Sequence, residues 1–495
     1  MRFRLAPWAA LALLLASYPA FGQEDQHVPP RPTDVILIDS LGHAVGVAPE
    51  QLPKGLRPPP EVGIERQVPR PAPGRRLPST LFDRMESGRE RGFTLFPAVP
   101  PRLEPYLAAQ DEFGNTAFKP GPLIDSSPLE PFVQGAKYWL GARGVRYVTD
   151  QTFTYTGVPD TPSGAPNLGY YTFKGFAKWA LYADPLAGTA GWLSNELEVK
   201  AGLGAAGATQ NAKSNIGMLT QPQGTISSHN GFRVPELAWQ QAFDRGAVVV
   251  VGGVVDQGNY LDVNTYANTG RGQFLNSALI NSMVLPLPAY NFGVNFQWQP
   301  ASELYALVGA TAGDAGAGQA PWTNFSWQNW SITTELGFAP HDFLDLGPGV
   351  YRVQPFLAQA GGPTQGGIAF NFEQQLGHKS PFGWFGRFGV GGSQVSAEAS
   401  TQVGTGFVME GPLEHLGLVP KLTNDYAGVA FVWSQPSATS KTVYHRNEYV
   451  AETFYTLQVT PMMRLQPDLQ IVWNPAFNPD PGPFTIVQTQ IILSW

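Results

Sequence analysis

The last nine residues of the chain limit its fold more than any other feature. In Val487-Gln488-Thr489-Gln490-Ile491-Ile492-Leu493-Ser494-Trp495, the apolar Val487, Ile491, Leu493 and Trp495 share one parity, and Gln488, Gln490 and Ser494 share the other. Successive side chains of an extended chain point to opposite faces, so this alternation marks a strand with one apolar and one polar face.

The split recurs upstream. Met463, Leu465, Leu469, Ile471 and Trp473 oppose Arg464, Gln466, Asp468 and Gln470, and Tyr449, Tyr455 and Leu457 oppose Arg446, Glu448 and Glu452. Trp330, Ile332, Leu336 and Phe338 oppose Asn329, Ser331, Thr333 and Glu335, while Tyr290, Phe292, Val294 and Phe296 oppose Asn291, Asn295 and Gln297. Alternation alone fits a water-soluble sandwich as well as a membrane barrel, because either way one face is apolar. Three features favour the barrel: polar faces rich in Gln, Asn, Ser and Thr, aromatics near strand ends, and the terminal Trp495. An aromatic closing such a strand resembles the C-terminal signal read by the barrel-assembly machinery, which is therefore an expected partner, as are outer-membrane lipids.

About sixteen segments of this kind follow residue 135, near 136–147, 169–182, 192–200, 232–242, 247–257, 289–297, 302–310, 329–338, 350–360, 366–376, 381–391, 402–412, 425–434, 446–458, 461–472 and 484–495. The fold class expected is all-β, a transmembrane antiparallel barrel over residues 131–495, with sixteen strands and eighteen as the alternative. Residues 248–255 are apolar on both parities, so their facing stays open. Connections 148–168, 201–231 and 258–288 are long and 243–246 and 298–301 short, as loops on one side of a membrane and turns on the other would be. Connections 339–349, 361–365 and 413–424 break that pattern.

Composition agrees. Only 14% of residues are charged, 12% are aromatic, and mean hydropathy is −0.13, an average that a lipid-facing and a polar parity produce together. A net charge of −7 argues against nucleic-acid binding, which needs a basic face. The absence of cysteine excludes disulfides, thiolate metal sites and a cysteine nucleophile.

Residues 1–22 read as an export signal: Arg2 and Arg4 precede an apolar run at 9–15, and Ala20-Phe21-Gly22 offers a cleavage site. Residues 23–130 are dense in Pro and Arg, as in Arg57-Pro58-Pro59-Pro60, which opposes helices and ladders. Local order is expected only as a strand at 34–38 and a helix at 79–91 capped by Ser79. This periplasmic extension reads either as an extended tail or as a plug or arm for a cell-wall or periplasmic partner.

Four stretches resemble the carbohydrate-selective outer-membrane porin family of the OprB type. They are Asp262 through Asn268 with Gln273 through Leu279, Glu236 through Gln241, Gly383 through Gly389, and Arg446 through Tyr455 followed by Pro467-Asp468-Leu469-Gln470 and Asn474-Pro475. The resemblance spans about residues 130–495. It implies a sixteen-stranded monomeric barrel through which glucose-like sugars diffuse past a narrow constriction. Thr269-Gly270-Arg271-Gly272 replaces acidic residues common at that point of the family.

Residues 258–288 form the third external loop, which in porins commonly folds inward. Asn264, Asn268, Gln273 and Asn276 offer paired donors and acceptors to replace sugar hydration, Tyr260, Tyr266 and Phe274 offer ring faces, and Arg271 a charge. The alternative is that residues 273–279 are a small helix packed on the wall. Lys174, Lys178, Glu196, Glu198, Glu236, Arg352, Glu373, Arg387, Arg446, Glu448, Glu452 and Arg464 have lumen parity and both signs of charge. They fit a transverse field that orients dipolar solutes, or wall-stiffening ion pairs.

Catalytic signatures are missing. None of the seven His has a paired-ligand spacing, no Gly-x-Ser-x-Gly elbow occurs, and Gly202-x-Gly204-x-x-Gly207 lacks a βαβ setting, so neither an enzyme nor a cofactor is expected. The competing functional readings are a channel for other small solutes, polysaccharide export, and an envelope role through the arm.

Overall fold

The computed structural model describes the backbone of residues 35–38 and 44–47 and, with short interruptions, residues 122–494. The export signal, the 79–91 helix and Trp495 lie outside the described residues. The chain divides into two units, Met1–Pro71 and Ala72–Trp495. In the first, β1 (Val35–Ile38) pairs antiparallel with β2 (Ala44–Val47).

In the second, sixteen strands close into an antiparallel barrel. They are β3 (Val145–Gly157), β4 (Asn167–Asp184), β5 (Thr189–Leu203), β6 (Gly231–Phe243), β7 (Val248–Val255), β8 (Asn291–Ala301), β9 (Leu304–Ala312) and β10 (Asn329–Phe338). The series continues with β11 (Gly349–Ala360), β12 (Gln365–Gln375), β13 (Phe382–Gly391), β14 (Ala399–Glu410), β15 (Tyr426–Pro436), β16 (Glu448–Thr460), β17 (Met463–Trp473) and β18 (Phe484–Ser494). Each pairs with its sequence neighbours, and β18 returns to β3, for example Gln490 opposite Thr154. Closure leaves no unpaired edge, which a wall surrounded by lipid requires.

Alternation sets the facing. Along β18, Val487 and Ile491 are exposed while Gln488, Gln490 and Ser494 are buried inside, and β10 and β17 repeat the pattern. The apolar run of β7 resolves in the same way: Val249, Val251 and Val255 face inward and pack with Trp192, Tyr260, Leu261 and Leu307. Both its faces are apolar because its inner face meets protein instead of water.

Three expectations are corrected. The first strand is Val145–Gly157, not 136–147, so the loop after it is 158–166. Its inward residues are Val148, Asp150, Thr152, Thr154 and Thr156, and only Phe153 and Tyr155 mark its outer face strongly. Tyr290 does not join the lipid face of β8: its φ of 66° breaks the alternation, and its hydroxyl donates to Glu198 Oε2 at 3.2 Å inside the barrel. Arg446 precedes β16, with its N–H donating to the Ala476 carbonyl at 3.1 Å and its side chain half-buried. The connections 339–348 and 411–425 do lie at the same end as the two-residue turn 461–462, and the short connection 361–364 lies at the loop end.

Candidate pore constriction

The long connection between β7 and β8, residues 256–290, folds into the barrel and is buried over most of its length. A bare loop could not stay there, because its backbone N–H and C=O groups would lose their hydration without replacement. Inward-facing wall residues supply the partners. Glu335 Oε2 accepts from the N–H of Asp262 at 3.1 Å, Glu373 accepts from Thr265, and Glu452 accepts from Leu275 and from Asn276, the latter at 3.0 Å. Gln466 Oε1 accepts from Gly272 at 2.7 Å and its Nε2 donates to the Gln273 carbonyl at 2.6 Å, while Gln490 Nε2 donates to the Gly270 carbonyl at 3.1 Å. The loop thus spans the lumen from β7 to the β10–β18 wall.

Asp262 is the hub. It has φ 61°, is fully buried, and its carboxylate accepts Arg387 Nε at 3.1 and 3.2 Å and Asn371 Nδ2 at 2.7 Å. Ser282 N–H donates to the same carboxylate from the far side of the loop. Arg387 also donates to the carbonyls of Leu279 at 2.6 Å and Asp262 at 2.9 Å. One guanidinium therefore ties both limbs of the loop to β13. Gly383 supplies clearance: a Cβ there would stand 2.4 Å from the Tyr266 ring.

The remaining candidates within the loop brace it internally and against the wall. Asn264 Nδ2 donates to Asn371 Oδ1 at 2.8 Å and its Oδ1 accepts Tyr266 N–H at 3.0 Å. Asn268 N–H donates to Gln273 Oε1 at 2.8 Å, and Gln273 Nε2 donates back to the Thr265 carbonyl at 2.7 Å. Asn276 caps the short helix α1 (Ser277–Ile280) by accepting Ala278 N–H at 3.0 Å. Arg271 Nη1 lies 3.5 Å from Asp150 Oδ2, whose other oxygen accepts from Ser494, and Ser494 in turn accepts Arg464 Nη2 at 2.9 Å. Glu448 reaches two other loops, accepting from Leu219 at 2.7 Å, Thr220 at 2.9 Å and Ala476 at 3.1 Å.

On the other side, β4–β6 carry a separate charged wall. Lys174 Nζ sits 2.7 Å from Glu196 and 3.5 Å from Glu198, and Lys200 sits 3.1 Å from Glu198. Arg233 Nη1 donates to Tyr290 OH at 3.3 Å. Glu236 accepts from Ser194 at 2.6 Å, Tyr260 at 2.8 Å and Asn259 at 3.3 Å. Asp256, at the loop's root, is pushed up to about 7 by burial and by the nearby Glu196 carboxylate.

These contacts gather Asn264, Tyr266, Asn268, Arg271, Gln273, Asn276, Glu373, Arg387, Glu452 and Arg464 around the inward loop. They set Glu236 on the β4–β6 wall, Glu448 under two other loops, and Arg446 at the rim. Asp262 and Asp150 escaped the reading by residue type. Asp262 was visible only within the family-like stretch, and Asp150 fell in a segment read as loop.

A family model described as carbohydrate-selective porin, OprB family, matches residues 186–365 and 358–493, together more than half of the chain. The chain belongs to this family. Membership places the barrel in an outer membrane and makes the protein a porin. Among curated relatives, Porin AaxA of Chlamydia felis is 24% identical over 330 residues, covering 61% of this chain and 66% of its own length. Porin AaxA of Chlamydia abortus is 24% identical over 324 residues, covering 61% and 65%. The chain thus spans just under two thirds of the curated relatives it matches. OprB of Pseudomonas putida, in its high-pH structure, superposes with TM-score 0.60 at 14% identity, covering 76% of this chain and all of that one, a likeness of fold.

Proposed function

We propose that the porin passes small carbohydrates of glucose size by passive diffusion, along a path between the root of the inward loop and the β4–β6 wall. The carrying observation is where accessible surface survives inside the barrel. The inward polar and charged side chains of β10–β18 are buried against the inward loop, its neighbouring loops or one another, whereas Lys174 and Lys200 keep 13% and 11% of their side-chain surface, and Asp256, Asn259 and Tyr290 are also half-buried. Along this wall acids and bases alternate at contact distance, so it offers a sugar hydroxyl donors and acceptors side by side without a net field that would favour either sign of ion. The Tyr290 ring adds a face for a pyranose.

In this reading Glu236 belongs to the path. Asn264, Tyr266, Asn268, Arg271, Gln273, Asn276, Glu373, Arg387, Glu452 and Arg464 set its width by holding the loop, Glu448 fixes the neighbouring loops, and Arg446 stands at the outer rim. The end with the two-residue turn faces the periplasm, as short connections do in such barrels. The Pro-rich extension is read as periplasmic from its composition alone, with a cell-wall or periplasmic partner. Residues 1–22 direct export, and the C-terminal strand is what the barrel-assembly machinery recognises.

Swelling of proteoliposomes in glucose tests the path. Tyr290→Ala and Lys200→Ala, each checked for folding by heat-modifiable electrophoretic mobility, change the glucose rate at least threefold, whereas wild-type rates in both place the path elsewhere.

A further inference from the structure

The inner face of β8–β10 differs from the rest of the wall. On β17 and β18 the inward glutamines each meet a loop: Gln466 donates to the Gln273 carbonyl, Gln470 and Gln488 to that of Pro222, and Gln490 to that of Gly270. On β8, Asn295 and Gln297 face inward two residues apart, and neither carboxamide has a partner for its nitrogen or its oxygen among the described residues. The same holds for the carboxamide of Gln257, in the one-turn 3-10 helix Gln257–Asn259 at the root of the inward loop, and for the hydroxyl of Thr333 on β10. None of the four residues is more than 2% exposed. Buried polar atoms lose their hydration on folding, so this group of them calls for partners from outside the chain.

The four side chains gather around one bare stretch of wall. Gly309 on β9 lies opposite Asn295 on one side and opposite Thr333 on the other. A Cβ there would stand 2.5 Å from Gln257 Oε1 and 2.7 Å from Asn295 Oδ1, so both carboxamides reach over this glycine. The strand neighbours Val249, Val251 and Leu307 are apolar and offer Asn295 and Gln297 no substitute partner. The loop root faces both ways. Asn259 Nδ2 donates to Glu196 at 3.0 Å and to Glu236 at 3.3 Å, on the wall of the proposed sugar path, while Gln257 in the same turn reaches over β9.

We infer that Gln257, Asn295, Gln297 and Thr333 form a subsite for the hydroxyl groups of a small neutral polyhydroxyl solute, beside the β4–β6 path and resting on that reading of the path. The chemistry of the ligand follows from the donor set. Each carboxamide leaves both a donor and an acceptor unmet. A metal ion or an ammonium group would satisfy only the oxygens, and a carboxylate or phosphate only the nitrogens, whereas a hydroxyl donates and accepts at once. The four side chains carry no charge, and Glu335, two residues from Thr333, is already engaged by Tyr305, Gln354 and the N–H of Asp262. Water and a sugar share the hydroxyl, and the two are separated by the test.

Asn295→Leu and Gln297→Met remove the hydrogen-bonding groups at similar volume and strand no partner within the protein, so the heat-modification temperature does not fall. In single-channel recordings with D-glucose, the concentration that half-blocks the current rises at least fivefold in each variant. Glucose also raises the heat-modification temperature of the wild type, as a ligand of the folded state does, and this rise is at least halved in both variants. Unchanged block and an unchanged rise in both variants assign the carboxamides to bound water alone and overturn the inference; weakened block in Tyr290→Ala in the same recordings then leaves the path standing. A wild-type current that answers glucose only through viscosity overturns the path and this subsite with it.

Discussion

Replacing Asp262 by Ala removes the acceptor that Arg387 Nε, Asn371 Nδ2 and Ser282 N–H share. Arg387 is left buried with only the carbonyls of Leu279 and residue 262 as partners. Breaking a buried, hydrogen-bonded ion pair from one side costs about 3–5 kcal/mol. Each 1.4 kcal/mol is a factor of about ten, so the loop detaches from β13 roughly a hundred to a few thousand times more often. Because the cost falls on the loop and not on the ladders, the barrel stays closed. In planar bilayers Asp262→Ala therefore shows higher mean conductance and larger current noise than wild type, and in liposomes it admits larger oligosaccharides. Asp262→Asn is the control for backbone geometry, since Asn tolerates the left-handed φ of 61° almost as well and lacks only the charge. It shifts conductance in the same direction. A folded Asp262→Ala protein with wild-type conductance and size cut-off refutes the role of this pair in setting the lumen.

Three further outcomes follow from the same geometry. Glu448→Ala strands the N–H groups of Leu219, Thr220 and Ala476, each worth about 1–3 kcal/mol when left unsatisfied, so the heat-modified band appears at a lower temperature while conductance changes less than in Asp262→Ala. Asp256, with its carboxyl raised to about 7 by burial and the Glu196 carboxylate, loses its proton as the pH rises from 6 to 8; reversal potentials shift toward cation selectivity over that range, and Asp256→Asn reduces the shift. Gly383→Ala drives a methyl group into the Tyr266 ring and displaces the loop, which registers as altered conductance at an unchanged heat-modification temperature.

The barrel was legible because lipid enforces a period of two on every strand, and fifteen of the sixteen anticipated segments overlap a barrel strand along most of their length. The exceptional first segment shows the limit. Residues 136–147 carry Tyr138, Trp139 and Leu140, whereas the strand beginning at Val145 has threonine on both parities, so hydrophobic contrast pointed to the wrong stretch. Tyr290 was misassigned for a local reason: one left-handed residue resets the parity, and nothing in an aromatic residue's identity announces it. The constriction was legible as a loop and as a set of residue types, but not as a network. Asp262 and Arg387 are 125 residues apart, and Asn276 and Gln470 are 194 apart. Which acid meets which amide depends on how the loop crosses the lumen, and that follows from the closed wall as a whole.

The measurement closest to the central claim is the ion current through single channels as glucose is added. A sugar path along the β4–β6 wall predicts a saturable fall in current with glucose, weakened by Tyr290→Ala, and a smaller fall with a linear polyol of similar size. A current that responds to glucose only through bulk viscosity, equally in wild type and Tyr290→Ala, contradicts it.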